Sequence, residues 1–417
     1  MAPARVAVRG TGRRLLARAS AWVGDARAIR QALTALALNS STSFIAGAFL
    51  GSVTSTFVDH PGLLVLVPAA IGLRGNIFTG VGNRLSTAIH TGTFSLTRSR
   101  RSVLGQNVTA AVVLTIATSV LLGLVAKMVA VALGIAHTIP LQDFIVVSTV
   151  GGALASLLVL ASTVGIAAGA VRYGWDLDDV SAPLVSTLGD VLTLPALWLV
   201  VGLTGIAFVT PALALVLTAV AFVLVVQSLR SSLEELPRIV RQSLPVLTIA
   251  GALSSLAGVT VERRLEPFTR HPALLVLLPA FLSSAGALGG ILSGRLGTKL
   301  HLGLIEPAGL PSRLARRDIA VTVGLAAPVF LFDAVGAHLL ALALGQESPG
   351  LATMIEVSLL GGLLAVGFVI LVAYYGTVAA FRVGLDPDTF GVPIVTSSVD
   401  FTGAVALVLA IVAIGLS

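Results

Sequence analysis

The sequence has no cysteine and few charged or aromatic side chains. Without cysteine the chain forms neither disulfides nor thiolate metal sites, so the candidate metal ligands are oxygens. Charged residues make up 11% of the chain, whereas soluble domains average about 25%. Aromatic residues make up only 5%, which disfavours an aromatic-rich pocket for an organic substrate. This composition excludes a water-soluble fold.

Long uncharged windows are what the sequence has instead. A helix needs about 20 apolar residues to cross a bilayer, and five windows without Asp, Glu, Lys or Arg meet that length: 31–58, 144–171, 191–229, 271–294 and 357–381. The window 191–229 is too long for one span, and Pro211 is a suitable break. The sequence therefore predicts an all-α polytopic membrane protein with about eleven spans. The predicted spans are residues 33–57, 61–83, 104–126, 144–171, 180–208, 211–229, 243–262, 272–294, 318–343, 351–381 and 390–415.

The basic residues indicate the orientation of the chain. Arginines cluster in the N-terminal tail and in segments 98–101, 230–241 and 313–317, which fall on one side of the eleven-span arrangement. Because cytoplasmic loops carry the excess of Lys and Arg, that side is cytoplasmic. We therefore expect a multi-pass protein of the cell membrane with a cytoplasmic N-terminus. The net charge of +7 is then a topology signal and not the mark of a nucleic-acid partner.

An internal repeat divides the sequence into two halves. The run His60–Pro68 returns as His271–Pro279, and further positions agree at the same 211-residue offset: Gly75 with Gly286, Arg84 with Arg295, Thr87 with Thr298, His90 with His301 and Gly92 with Gly303. We expect four parts: a basic cytoplasmic tail, a first module, a linking helix with a cytoplasmic loop, and a second module. Their bounds are residues 1–30, 31–209, 210–242 and 243–417.

The repeat also predicts how the two modules are oriented. Five spans are an odd number, so direct fusion would invert the second copy, whereas one extra span restores its orientation. The modules are then parallel, and equivalent helices face each other across an axis along the membrane normal. We expect a central pore between the modules, lined by the fifth span of each module. The single chain is then expected to work as a monomer by pseudo-dimeric fusion.

Two aspartates inside apolar spans are the main candidates for chemistry. An unpaired charge at that depth costs at least about 2.5 kcal/mol, so Asp190 and Asp400 predict a functional site. The spacing places hydroxyl groups on the same helical face as each carboxylate. Those hydroxyls belong to Ser186, Thr187, Thr396 and Ser397. Carboxylate and hydroxyl oxygens suit a hard cation such as Mg²⁺, directly or through waters. The alternative, a structural hydrogen bond between helices, is disfavoured because both modules carry the aspartate.

Further candidate residues flank these aspartates. Asp176 and Asp386 precede the two spans on the cytoplasmic side, where an acidic vestibule and ordinary helix capping are both open readings. The second span contains Asn76 among many glycines, and its copy is similarly glycine-rich. A helix broken beside the pathway and tight helix packing both explain such a composition. We include Asp176, Asp386 and Asn76 among the predicted cation ligands.

Two motifs resemble the MgtE-type magnesium transporters, and the doubled arrangement resembles their solute carrier family 41 relatives. They are Pro68–Ile77 followed by Arg84–Thr87, and the Pro-led runs that end at Asp190 and at Asp400. The resemblance implies five spans in each module, a parallel pore, and a role for Asp190 and Asp400 in the magnesium site. It implies no cofactor, since Mg²⁺ is the transported ion. A large cytosolic sensor domain is not expected, because the tail is too short.

Two other function classes compete with divalent cation transport. An intramembrane aspartyl protease also needs two membrane aspartates, but no Gly-x-Gly-Asp run exists, so we expect no enzyme activity. A secondary transporter of an organic or anionic substrate would require a cationic or aromatic pocket, and we expect no arginine in the middle of a span. A coupling ion, Na⁺ or H⁺, is compatible with the sequence.

Overall fold

A computed structural model describes the backbone of residues 6–97, 99–135, 137–173, 177–383 and 392–416. Side chains are described for residues 29–97, 99–135, 137–173, 185, 187–383 and 393–416. Within these residues the chain is helical and contains no strand. The helices are α1 Val6–Ser52, α2 Thr54–Asp59, α3 Leu66–His90, α4 Val103–Ala132, α5 Leu141–Val146, α6 Gly152–Tyr173, α7 Leu177–Val201, α8 Val209–Leu229, α9 Glu235–Glu262, α10 Leu265–Arg270, α11 Ala273–His301, α12 Arg313–Ala343, α13 Leu351–Val383 and α14 Val392–Ile414.

Ten helical segments of the described chain are long and apolar enough to cross a membrane. They include α1 from Ile29 onward, and α5 and α6 form one of them because a π-helical turn, Val147–Gly151, joins the two. Helix α7 adds a further apolar stretch, Thr187–Val201. The chain is therefore an all-α polytopic membrane protein, as the uncharged windows predicted.

The two halves repeat the same helical order. Helices α1, α3, α4, α5–α6 and α7 correspond to α9, α11, α12, α13 and α14, while α8 has no counterpart. The start of the third span is repeated as well. Ser102 caps α4 and Ser312 caps α12, and each serine accepts a hydrogen bond from the backbone N–H of the third residue of its helix. Five of the ten membrane-length segments precede α9 and helix α7 adds a sixth crossing, so α1 and α9 run in the same direction and the halves are parallel.

The first helix of each half packs mainly against the other half. Helix α1 lies against α11 and α12, and its counterpart α9 lies against α3 and α4. Each of them also contacts the last helix of its own half, α7 for α1 and α14 for α9. This reciprocal exchange makes the boundary between the halves a continuous part of the apolar core.

Two glycines permit the closest of these exchanged contacts. A Cβ on Gly47 of α1 would lie 2.2 Å from the carbonyl oxygen of Val276, and a Cβ on Gly258 of α9 would lie 2.6 Å from Cα of Val65. Val65 and Val276 are equivalent residues of the repeat, as are the two glycines. Only glycine allows backbones to approach this closely.

Several predicted helix limits differ from the structure. The second span is unbroken over residues 66–90 and its copy over 273–301, so the broken-helix reading is wrong for those segments. The long uncharged window is divided into two helices as predicted, although the break, at residues 202–208, precedes Pro211. Pro211 lies in the first turn of α8, where backbone N–H groups have no partner within the helix, so the missing N–H of proline costs no helical hydrogen bond. Helix α9 begins at Glu235, eight residues before the predicted module boundary of 243.

Candidate functional site

A cavity of about 400 Å³ lies between the two halves. Helices α3 and α11 form most of its wall with equivalent residues, among them the pairs Pro68 and Pro279, and Gly75 and Gly286. Asn39 of α1, Asp190 of α7, and Thr396 and Asp400 of α14 complete the polar part of the wall. The cavity thus lies between the modules, where the sequence predicted a pore, but its wall comes mainly from the second spans, α3 and α11, and not from the fifth spans, α7 and α14.

Both candidate aspartates line this cavity, and both accept a hydrogen bond from an equivalent serine. Asp190 is 7% exposed and accepts from the Ser43 hydroxyl at 3.3 Å, while the half-buried Asp400 accepts from Ser254 at 2.9 Å. Ser43 lies on α1 and Ser254 on α9, so each bond joins the first and last spans of one half. Neither serine is among the predicted site residues, although the two are separated by the same 211-residue offset as the histidines of the repeat.

The predicted hydroxyl ligands differ in whether they line the cavity. Thr396 lines the cavity, one helical turn before Asp400. Thr187 bonds to Thr42 of α1 at 3.4 Å, and Ser397 is buried without lining the cavity. These two side chains therefore do not face an ion in the cavity. The Ser186 side chain lies outside the described part of the chain.

The remaining predicted ligands divide in the same way. Asn76 lines the cavity, and the equivalent residue on the opposite wall is Ala287. The two walls therefore offer different oxygen ligands. Asp176 and Asp386 fall outside the residues that the structure describes, so the acidic vestibule stays a prediction.

The glycines of α3 and α11 make room for the cavity. An added Cβ would have no atom within 4 Å at Gly75, Gly286 or Gly290, all of which line the cavity. At Gly72 an added Cβ would lie 3.6 Å from a carboxylate oxygen of Asp400. Glycine thus exposes bare backbone to the cavity at these positions, and tight helix packing does not explain them.

One arginine does lie inside a span, contrary to the sequence argument. Arg74 in α3 is 2% exposed, but its guanidinium is directed away from the cavity. The group donates to the carbonyl of Ala70 and, at 3.4 Å, to the Ser119 hydroxyl and the Ser148 carbonyl. Among the described residues no lysine or arginine lines the cavity. Arg74 therefore supplies no positive charge for an anionic substrate there.

The cavity has the electrostatics of a cation site. Two carboxylates converge on it, and the other polar groups in its wall are amides and hydroxyls. Nowhere in the described part of the chain do three acidic or histidine side chains gather around one point. Mg²⁺ dehydrates reluctantly and is commonly held by only one or two carboxylates together with retained waters. The arrangement thus matches a hydrated divalent cation better than a fully dehydrated one.

Comparison with known proteins identifies related chains. Solute carrier family 41 member 3 of Rattus norvegicus is 26% identical over 387 residues, which cover 85% of this chain and 79% of the relative. Solute carrier family 41 member 2 of Xenopus laevis is 26% identical over 425 residues, with 92% and 73% covered. The human member 2 is 26% identical over 376 residues, with 83% and 63% covered. No solved structure matches the chain significantly.

A comparison with protein families finds two matches along the chain. Residues 67–200 and 278–410 each match the family MgtE, described as a divalent cation transporter. The two segments together exceed half of the chain, and each lies within one half of the repeat. The first segment contains nearly all of α3 together with Asp190, and the second contains most of α11 together with Asp400. The chain therefore belongs to the MgtE family of divalent cation transporters.

Proposed function

We propose that the protein carries divalent cations, with Mg²⁺ the first candidate, along a path through the cavity between its halves. The single observation that supports this most strongly is the convergence of Asp190 and Asp400 on one cavity without a lining lysine or arginine. Two carboxylates balance the charge of one divalent cation. A monovalent cation would leave one negative charge uncompensated in a low-dielectric environment.

The size of the cavity supports a partly hydrated ion. Each water occupies about 30 Å³ in the liquid, so six waters need about 180 Å³. The cavity, at about 400 Å³, has room for Mg²⁺ with its first hydration shell. We therefore assign Asp190 and Asp400 as the carboxylate ligands, with Asn76 and Thr396 contacting the ion or its waters.

The roles of the serines follow from this assignment. Each serine donates its only hydroxyl proton to one carboxylate oxygen. That bond orients the carboxylate and leaves its other lone pairs for the ion or its waters. Ser43 and Ser254 are in this proposal positioning residues.

We also propose the cellular setting. The protein lies in the cell membrane with its N-terminus in the cytoplasm, and the modules 31–209 and 243–417, joined by segment 210–242, form one pathway in a single chain. The supporting observations are the basic clusters on one side and the reciprocal packing of α1 and α9. No second copy is then needed to complete the cavity.

The test is magnesium flux into proteoliposomes containing the purified protein. We expect Asp190→Asn and Asp400→Asn each to lower the flux at least tenfold, equivalent to about 1.4 kcal/mol. The amide keeps the shape of the side chain and can still accept from the serine, but removes the charge. A sodium gradient in the same assay distinguishes a channel from a sodium-coupled exchanger.

Asp143→Asn is the matched control. Asp143 is another buried carboxylate, 3% exposed, but it accepts from the backbone N–H of Gly205 and does not line the cavity. We expect this variant to transport at the wild-type rate. Wild-type flux in both cavity variants would show that the two aspartates are structural, and the ligand assignment would then be wrong.

A further inference from the structure

A further membrane aspartate, Asp333 of α12, is enclosed away from the cavity. Its side chain is 0% exposed, and it does not line the cavity. Neither carboxylate oxygen has a partner in close hydrogen-bond geometry among the described residues. A buried ionised carboxylate without compensation costs several kcal/mol. The carboxylate therefore needs a bound cation to neutralise its charge, and a proton is the smallest cation that can do so.

The polar neighbours of Asp333 connect it to the cavity wall. The hydroxyls of Ser40 on α1 and Ser284 on α11 lie beside the carboxylate and bond to each other at 3.0 Å. The residues immediately before them, Asn39 and Ser283, bond to each other at 2.8 Å and line the cavity. Asp333 therefore lies directly behind the contact between α1 and α11 that forms one wall of the cavity.

No charged group on the surrounding helices compensates Asp333. Helices α1, α11 and α13 pack against α12. The titratable side chains described on these four helices, besides Asp333, are Arg30, Arg295, Lys299, His301, Arg313, Arg316, Arg317, Asp318, His338, Glu356, Tyr374, Tyr375 and Arg382. The nearest basic residue of α11, Arg295, is eleven residues beyond Ser284, about 16 Å along the helix. His338 bonds to Ser348 at 2.8 Å, and Glu356 is exposed.

The arrangement exists in only one half of the molecule. Gly134 after α4 and Gly345 after α12 both have positive φ and are 211 residues apart, so we use them to match the positions of the third spans in the two halves. With this alignment the counterparts of Asp333, Ser40 and Ser284 are Leu122, Gly251 and Leu73. A residue needed to build the duplicated pathway would be expected in both halves. The restriction to one half indicates a separate role.

We propose that Asp333 is a proton-binding site coupled to the cation cavity, an inference that rests on the proposed function. A proton fits because it needs one oxygen, whereas Mg²⁺ needs several ligands and retained waters. Protonated Asp333 donates its O–H to one of the two serines and leaves their mutual bond intact. Ionised Asp333 accepts from both, and since each hydroxyl has a single proton, the bond between Ser40 and Ser284 is then lost.

The coupling follows from the position of that bond. Losing the bond between Ser40 and Ser284 loosens the α1–α11 contact next to the Asn39–Ser283 pair, which is part of the cavity wall. Proton binding at Asp333 and cation binding in the cavity therefore influence each other. By linkage, each changes the affinity of the other by the same factor.

The test compares wild type with Asp333→Asn, whose amide has the shape of the protonated acid and does not titrate. Magnesium flux into proteoliposomes is measured between about pH 5.5 and about pH 8.5, with and without a pH gradient. We expect wild-type flux to change at least fivefold over this range and the variant to change at least twofold less, because only the cavity carboxylates Asp190 and Asp400 then still titrate. His338→Gln, which removes a titratable neighbour on the same helix, should keep the wild-type pH response. A wild-type pH response in Asp333→Asn would overturn the proposal.

A second readout does not depend on transport. Ionising Asp333 places an uncompensated charge in the core, so the melting temperature of the wild type in detergent should fall as the pH rises. Asp333→Asn should lack this component, and its persistence in the variant would contradict the proton site. Failure of wild-type protein to transport any divalent cation would refute the proposed function but leave this melting test decisive for Asp333.

Discussion

Replacing Gly47 or Gly258 by alanine should weaken the packing between the two halves. The new Cβ would lie 2.2 Å from a backbone oxygen at Gly47 and 2.6 Å from a backbone Cα at Gly258. Overpacking costs up to about 3 kcal/mol, and the upper end applies because backbone atoms must move. Alanine is intrinsically better than glycine in a helix by about 1 kcal/mol. We therefore expect each substitution to destabilise the protein by about 2 kcal/mol.

The matched controls are Gly75→Ala and Gly286→Ala, which change the same residue type in helices α3 and α11. An added Cβ meets no atom within 4 Å at either site, so only the gain of about 1 kcal/mol in helix propensity applies. Unfolding free energies are measured by titrating the purified protein in mixed micelles with a denaturing detergent. The two pairs of variants should differ by about 3 kcal/mol. Equal stability of Gly47→Ala and Gly286→Ala would refute the close approach of the halves.

Two further predictions concern hydrogen bonds and charges. Ser43→Ala and Ser254→Ala each remove a hydrogen-bond donor to a carboxylate, and such a bond is worth about 1.5 kcal/mol or more. Cation affinity measured by isothermal titration should therefore fall about tenfold in each variant. Unchanged affinity in both variants would exclude the positioning role of the serines. Asp318→Asn leaves Lys299 without its carboxylate partner at 2.5 Å, and because Asp318 is buried we expect a loss of about 3 kcal/mol in unfolding free energy. Removing the other partner, in Lys299→Met, should lower the unfolding free energy by a similar amount. If neither substitution changes the unfolding free energy, the ion pair contributes nothing to stability.

Much of the architecture was predictable because the bilayer limits what an apolar sequence can do. A span needs a minimum length without charge, so uncharged windows revealed the helices, and the 211-residue repeat indicated the parallel halves. The start of α9 was predicted too late. Its first turns contain Glu235, Arg238 and Arg241 and resemble a cytoplasmic loop in composition, although they continue the helix.

The site was predictable in its charges and less so in its hydroxyls. Asp190 and Asp400 are conspicuous because carboxylates are costly in a membrane. Which hydroxyls face them depends on the rotation of each helix about its axis, and a local spacing rule does not determine this rotation. Thr187 therefore faces α1, while Ser43, one of several hydroxyls in residues 40–43, donates to Asp190. The enclosure of Asp333 required knowledge of how α1, α11 and α12 meet.

The exchange of first helices has a consequence for the assembly of the protein during synthesis. Helix α1 ends at Ser52, and its main partner α11 begins at Ala273. At about 5–20 residues per second the ribosome needs about 10 to 45 s to make the intervening chain. During that interval Gly47 and the surface around it have no partner from their own chain. The first half must therefore remain in the membrane with the α11-binding surface of α1 uncovered until the second half has been synthesised.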